Sequence, residues 1–482
     1  MNTFHYAAAA AAMFCTLTAG AEGYQINSLS AKQLGMGHTG IALKLGAENM
    51  FFNPAGMAYM DKTLDFSASA TFTMPTATAT DLDNGRDYTT DNGVSTPLNV
   101  NAAFSIYDNL KAGISFYTPY GSSINWTDDW AGSLFNQNVS LKMFTLQPTV
   151  AWAINEKWSI GGGLMVSWAT VDLNKGLITS ASLDRLITAT NAANPGSDIP
   201  LTGGVTPASV NLNGKTAVAL GANVGVMFNA TDNLTFGASL RTQMAMKVKS
   251  GEATVSYNNA FAQQMMGGVL DGIHHANFKA QMPAAWVLGF GASYKGIERL
   301  TLAADARLTG WHAYKSLDVE FLPEGLQDMN QYIPKNYKNS WCLSVGGEYA
   351  ITERFDGRLG MMIDTTPVRD DYYNPETPGM TKVEPTIGFS FRPTPRLSID
   401  FAFMYVHGCG KKNVSVTAPN LLYNGIVKSG TQTAVAAGLP LEQAMAAAAS
   451  QAAAMGLEPT ETFRANYKLH AFNPSIGISY RF

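Results

Sequence analysis

Nine charged residues share one phase of segments that otherwise alternate apolar with small or polar residues: Arg241, Asp305, Arg307, Glu348, Arg358, Asp364, Arg392, Asp400 and Arg481. Residues at period 2 on a strand leave through one face. If the other face meets lipid, these charges must point inward, because a charge in hydrocarbon costs about 3 kcal/mol or more. Both signs occur, so the chemistry they suit is ion pairing inside an enclosed lumen, with Arg241, Arg307 and Arg358 also able to hold a ligand carboxylate. Group-transfer chemistry has little support. The seven histidines are scattered, and neither a G-x-S-x-G elbow nor an HExxH motif occurs. His407 and His470 fall near strands, where a single histidine is usually structural. Cys342 and Cys409 are far apart and have no CxxC or Cys/His spacing, which speaks against a zinc site and a disulfide framework. No catalytic residue, metal or cofactor is expected.

The elements that would position these charges are strands. Phe144, Leu146, Val150, Trp152 and Ile154 alternate with Met143, Thr145, Gln147, Thr149 and Ala151, and Leu397, Ile399, Phe401, Phe403 and Tyr405 alternate with Ser398, Asp400, Ala402 and Met404. The runs exceed the usual strand of about 5–6 residues and approach the 9–11 or so that a tilted membrane strand needs. Fourteen are expected, over 64–74, 98–107, 110–119, 139–154, 157–173, 214–229, 233–249, 278–294, 299–318, 339–351, 355–366, 382–392, 396–408 and 466–482. Connections alternate between short turns, such as Asp108-Asn109, Asn155-Glu156 and Lys295-Gly296, and long loops, the longest near 174–213 and 409–465. Short periplasmic turns and long outer loops are the pattern of an outer-membrane barrel rather than a sandwich. Three loop segments have helical character: Ser182 to Ala193, Asn259 to Ile273, and the alanine-rich Thr433 to Met455. Their apolar composition suggests either a greasy vestibule or self-packing of long loops.

Composition agrees. Charged residues make up 14% and hydrophobic residues 46% of 482. Lys+Arg 32 against Asp+Glu 36 leaves no basic excess for nucleic acid. Mean hydropathy is -0.02, and no run of about 18 uncharged apolar residues follows the N-terminus, which excludes a polytopic helical membrane protein. Residues Tyr6 to Leu17 and the small-x-small Ala19-Gly20-Ala21 read as a signal peptide over 1–21. The last strand places Ile476, Ile478, Tyr480 and Phe482 on one face, and the terminal aromatic resembles the signal read by outer-membrane assembly machinery.

Residues 22–62 do not alternate. Ser28 or Ser30 could cap a short helix ended by Gly35, and Asn53-Pro54-Ala55-Gly56 is a turn. Such a segment is too small to hold its own core and needs a host, which the lumen provides. The fold expected is all-β: a fourteen-stranded antiparallel transmembrane β-barrel over 63–482, with a small N-terminal helical hatch over 22–62 plugging the lumen. Asn53, Pro54, Ala55 and Gly56 would form the hatch motif, and Tyr24, Ile26, Leu29 and Leu34 its apolar contacts.

Gly23-Tyr24-Gln25-Ile26-Asn27, Gly35 through Gly40, Phe52-Asn53-Pro54-Ala55-Gly56-Met57, Tyr117-Thr118-Pro119-Tyr120-Gly121, Gln147-Pro148-Thr149-Val150, Asp305 through Trp311 and Gly477 through Phe482 resemble the FadL/TodX family over essentially the whole mature chain. That resemblance implies a channel in the bacterial outer membrane for passive uptake of hydrophobic compounds, above all long-chain fatty acids. It implies no enzyme and no nucleic acid partner, and the partners expected are apolar small molecules, outer-membrane lipid and lipopolysaccharide, and the assembly machinery reading Phe482, with the chain a monomer. It also implies sideways release through a kink in the third strand. Pro119 and Gly121 are the candidate interruption here, the alternative being that Pro119 ends the strand at the outer rim. A hydrophilic porin and an outer-membrane acyl hydrolase are the competing functions.

Overall fold

The computed structural model describes residues 23–482 apart from 377, so the expected signal peptide lies outside the described residues. Fourteen antiparallel strands close into a barrel. The first four are β1 (Leu64–Thr71 and Met74–Asp81), β2 (Leu98–Tyr107), β3 (Leu110–Tyr117 and Gly121–Asn125) and β4 (Asn138–Ala153). Next come β5 (Trp158–Ile178), β6 (Ala208–Lys215 and Ala219–Asn229), β7 (Leu234–Arg241 and Met244–Tyr257) and β8 (Asn277–Ala284 and Val287–Ile297). The remainder are β9 (Leu300–Thr309), β10 (Ser340–Ala350), β11 (Phe355–Asp364), β12 (Lys382–Thr394), β13 (Leu397–Gly408 and Lys411–Pro419) and β14 (Thr460–Arg481). Each pairs with its sequence neighbours, and β1 pairs with β14 from Asp65↔Arg481 to Thr71↔Ser475. Leu64 N–H donates to the Phe482 carbonyl (2.9 Å), and Phe482 N–H donates back to Leu64 (2.8 Å), which extends the seam to its periplasmic end.

Alternation dictates the two faces. On β14, Phe472, Ile476, Ile478 and Tyr480 are exposed, whereas Ala471, Asn473 and Ser475 are buried. This reverses a water-soluble protein and suits hydrocarbon outside and a packed, partly polar lumen inside. Stacked rings mark the edges of the apolar belt: Trp158 on Phe228 (4.4 Å) and Phe355 on Phe391 (4.9 Å) near the short turns, Phe144 on Trp168 (6.2 Å) toward the long loops.

Several boundaries depart from the sequence reading. β9 ends at Thr309 instead of 318, because Gly310 and a 3-10 turn at Trp311–Ala313 break it before a separate loop strand, Ser316–Phe321. The turn after β8 lies at Glu298-Arg299, not Lys295-Gly296. Lys295 N–H still bonds to Asn233, and an irregularity between Tyr294 and Ile297 absorbs the offset. β1 continues to Asp81 beyond a break at Phe72-Thr73, and β14 begins at Thr460.

Ahead of the barrel lie two four-residue helices, α1 (Ala31–Leu34) and α2 (Asn49–Phe52), joined by turns and followed by a 3-10 stretch at Pro54–Tyr59. Ser30 caps α1 by accepting from Gln33 N–H (3.2 Å), as its spacing suggested. This segment fills the lumen: Leu29, Leu34, Met50, Ala55 and Met57 are buried to within 1%. Gly37 has φ +65, and a Cβ there would stand 2.7 Å from the Val345 carbonyl and 2.9 Å from Met361 N, so the hatch backbone lies directly on β10 and β11.

The outer loops carry α3 (Ser180–Ala193), α4 (Ala260–Leu270), α5 (Leu421–Ala436) and α6 (Leu441–Ala454). The alanine-rich stretch of helical character over 433–455 is interrupted before Pro440 and forms the second half of a helical hairpin that turns at residues 438–440. Ala444, Ala448 and Ala452, four apart, are buried on the inner face of α6. The loops pack inward into an apolar cluster holding Trp126, Trp130, Leu183, Leu186, Phe278 and Phe463, which occupies the outer half of the lumen.

Candidate functional site

The hatch is fastened to the wall by groups spread around it. Asn53, at the end of α2, is fully buried. Its amide nitrogen donates to Ile41 O (2.7 Å) and Val226 O (3.1 Å), and its oxygen accepts from Ala55 N–H (3.1 Å). Pro54 cannot donate and fixes the turn, and Ala55 O accepts from the Ser159 hydroxyl (3.0 Å) on β5. Gly56 leaves room for the Asn49 side chain, which a Cβ would meet at 2.3 Å. The four-residue motif therefore clips the hatch to β5 and β6. We expect Asn53→Ala to leave the barrel folded but loosen the hatch by about 1–3 kcal/mol, since three bonds are lost in a buried site. Hydrogen exchange of residues 40–60 should then speed up while β9–β12 stay protected.

Asp305 on β9 accepts from Gly40 N–H (2.7 Å) and Ile41 N–H (3.1 Å). Arg307, two residues on, reaches Asn27 Oδ1 (3.1 Å), His38 Nδ1 (3.2 Å) and Cys342 Sγ (2.9 Å). His38 Nε2 accepts from Leu29 N–H (3.3 Å), and burial together with the nearby Arg307 and Arg241 guanidiniums holds its pKa well below the usual imidazole range. Arg241 lies over the Phe51 ring at 4.4 Å, and Arg481 pairs with Asp65 (3.1 Å) while donating to Leu45 O (3.2 Å). These five arginine and aspartate positions touch the hatch directly, Asp65 through the backbone at Gly46 and Ala47.

The other inward charges pair within the wall. Arg358, its side chain wholly buried, meets Glu348 (2.7 Å), Asp400 (3.5 Å) and Asp356 (3.9 Å), and Arg392 grips the same Asp356. Asp364 faces Lys382 at 3.8 Å. Of the three arginines considered for a ligand carboxylate, Arg358 is enclosed by carboxylates and Arg307 by the hatch, and none of the three lines the cavity described below. Charge selection also passed over Gln147 and Asn223, whose amides donate to Met50 O (2.7 and 2.9 Å). Both stand on the lumen phase, where these uncharged amides hold the hatch as the charges do.

The third strand does not stop at Pro119. Tyr117 pairs with Thr145, the ladder breaks over Thr118–Tyr120, and it resumes with Gly121 opposite Lys142, so β3 holds one more residue than β4 across the gap. The upper part of β3 has no β2 residue beside it, because β2 begins at Leu98. The hatch start supplies the missing partner: Ile26 N–H donates to Pro119 O (3.0 Å) and Gly121 N–H to Tyr24 O (2.8 Å). Tyr24 is buried edge-on against Trp311 (4.7 Å), Tyr120 and Tyr314 (6.0 Å each). Leu29 packs with Met36, Phe51, Phe52 and Tyr117, and Leu34 with Cys342, Met362 and Met404.

At this break lies a cavity of about 650 Å³, within the range of small-molecule sites. Ile26, Leu98, Met404, Val406, Leu469 and Ala471 give it apolar walls, with Asn27, Lys382 and Glu384 as polar points. Its lining includes both buried lumen residues such as Leu141 and the exposed, outward-phase Lys142, so it spans the thickness of the wall.

Residues 12–463 match the family described as outer membrane protein transport protein (OMPP1/FadL/TodX). The chain is 23% identical over 419 residues to the long-chain fatty acid transport protein of Escherichia coli O6:H1, covering 83% of this chain and 90% of that protein. It is 22% identical to outer membrane protein P1 of Haemophilus influenzae, over 63% and 64% of the two chains. A Pseudomonas aeruginosa FadL homologue superposes with a TM-score of 0.72 at 18% identity, over 95% of this chain and all of that one. The Pseudomonas putida toluene transporter TodX gives 0.64 at 13% identity, over 95% and 99%.

Proposed function

Because the chain belongs to the OMPP1/FadL/TodX family of outer-membrane transporters of hydrophobic compounds, we propose that it takes up long-chain amphiphiles such as fatty acids by passive diffusion and releases them sideways through the opening at the break in β3. The observation that carries this reading is the apolar cavity bordered on one side by the lumen and on the other by the outward phase of the wall. A solute leaving there passes from apolar cavity to bilayer without crossing the periplasm. The apolar cluster in the outer half of the lumen and the hatch below it favour an apolar solute over a hydrophilic one. The polar points Lys382 and Asn27 would meet a headgroup while Met404, Val406 and Ile26 meet the chain.

Two readouts test this. Ser122 lines the cavity, and Ser122→Trp should cut uptake of a labelled long-chain fatty acid about tenfold, equal to about 1.4 kcal/mol, with normal amounts of folded barrel. Affinity should rise with chain length at about 0.8 kcal/mol, or fourfold, per buried methylene. Equal binding of short and long chains, or full uptake by the tryptophan variant, would remove the proposal.

A further inference from the structure

We propose that the outer face of β4–β8 binds the phosphate groups of outer-leaflet lipopolysaccharide through a row of lysines: Lys142, Lys215, Lys249 and Lys279. Strand register aligns them. Lys142 lies opposite Thr170, and Thr170 opposite Lys215. The Thr216↔Val248 bridge brings Lys215 level with Lys249, and Val248↔Ala280 brings Lys249 level with Lys279. All four are exposed and on the outward phase of their strands. With strands about 4.8 Å apart, the row crosses five strands over about 20 Å. Lys247, also exposed, stands one outward position closer to the membrane, opposite Gln281.

Depth fixes what such a row can meet. One outward position below Lys142, Phe144 and Trp168 mark the outer edge of the apolar belt. Lys142 therefore sits where lipid headgroups begin, and because the strands are tilted the row climbs from there toward the long loops, with Lys247 and Gln281 lying between Lys249, Lys279 and the membrane. Like charges facing each other across strands are destabilising, so this arrangement calls for a counter-charge. The protein supplies little. Among the described residues only Lys279 of this set is in an ion pair, with Glu320 at 2.9 Å. At the next outward level above the row, Asp172 is engaged by the amides of Asn138 (3.3 Å), Asn211 (2.9 Å) and Asn213 (2.9 Å), and Glu252 by His275 (2.6 Å). The adjoining wall differs: the outward residues of β9–β11, including Leu302, Leu308, Trp341, Leu343, Leu359 and Ile363, are uncharged. A polyanion carrying several phosphates at and above headgroup depth, in the leaflet of the outer membrane that faces the long loops, fits β4–β8 rather than β9–β11. The row starts at Lys142, which also borders the wall cavity. The inference rests on membrane location and register, not on the transported solute.

Native mass spectrometry of the full-length barrel in detergent tests it, using bisphosphorylated lipid A, its dephosphorylated form and phosphatidylglycerol as probes. The combined Lys142→Gln, Lys215→Gln, Lys249→Gln variant should bind bisphosphorylated lipid A about tenfold or more weakly, and the matching Lys→Arg variant should bind like the unaltered protein. Heat-modifiable gel migration reports that each barrel is folded. Should the glutamine variant fail to fold, the unaltered protein still decides the matter, since its binding must fall steeply at about 0.5 M salt. Undiminished binding by the glutamine variant, salt-insensitive binding, or equal binding of dephosphorylated lipid A would overturn the proposal. Equal binding of phosphatidylglycerol would also overturn it, by reducing the site to a general anionic-lipid surface.

Discussion

Removal of residues 23–62 is expected to turn a nearly closed barrel into an ion-conducting pore. The hatch fills the inner half of the lumen, where Leu29, Leu34, Met50 and Met57 pack against the wall. Without it, Asp305, Arg307 and the cluster around Arg358 would face empty space, which water would occupy because those groups need hydration. A bare barrel of this size approaches the porins that leave an aqueous channel. The outer loops still cap the mouth, but the break in β3 would lose its Tyr24 and Ile26 partners, and the cavity beside it would connect the headgroup region to the periplasmic end. Planar-bilayer conductance is the measurement. A deletion variant that folds yet conducts no more than the full-length chain would show that the hatch is not the barrier.

The second large effect is expected at Arg358. Its guanidinium joins three carboxylates contributed by three strands: Glu348 on β10, Asp356 on β11 and Asp400 on β13. Replacement by methionine keeps much of the side-chain volume but leaves Asp400 and Glu348 without their shared cation. Removing one partner of a buried network costs about 3–5 kcal/mol, far more than the network itself contributes. The temperature at which the barrel loses its compact gel migration should therefore drop sharply. A second change, Asp400→Asn, should recover part of the loss, because it removes one orphaned charge. An Arg358→Met barrel as heat-resistant as the unaltered one would mean that Arg392 or water replaces the lost cation.

Much of the barrel was legible because each strand has two unlike faces. Apolar residues outside and small or polar residues inside give strict alternation, so all fourteen strands were anticipated. Ends were less legible wherever a strand rises above the membrane. The outer part of β1, Met74–Asp81, alternates threonine and alanine with no lipid to meet, so its pattern weakens. The hairpin α5–α6 was half recognised, since Leu421 to Thr433 contains Gly425 and Gly430, which lower helical propensity until the tight packing of Gly430 on Ala448 repays it.

The site was legible by face but not by position. Alternation tells that Asp305 and Arg358 both point inward. It does not tell at which depth the hatch touches the wall, so nothing in the sequence separated the charges that hold the hatch from those that pair within the wall. Asp356 escaped notice although it sits on the same phase as Arg358 and binds two arginines. The Lys335–Glu376 pair (2.7 Å), buried between two long loops, had no periodic pattern to reveal it. The sequence motif at Asn53 was informative because its role is local: the turn and its cap use neighbours in the chain.

The seam between β1 and β14 carries a consequence for the order of events in biogenesis. Thr71 and Ser475 share a hydrogen bond across 404 residues of chain. Until β14 arrives, β1 presents an unsatisfied edge, and every emerging hairpin extends an open sheet that could pair with another copy. Contacts this far apart are slow to form, since loop closure must precede any reward. The chain must therefore spend its journey to the membrane in a state that is neither folded nor allowed to aggregate. The arrival of β14 ends that vulnerable interval, which makes this strand the timing element of the whole fold.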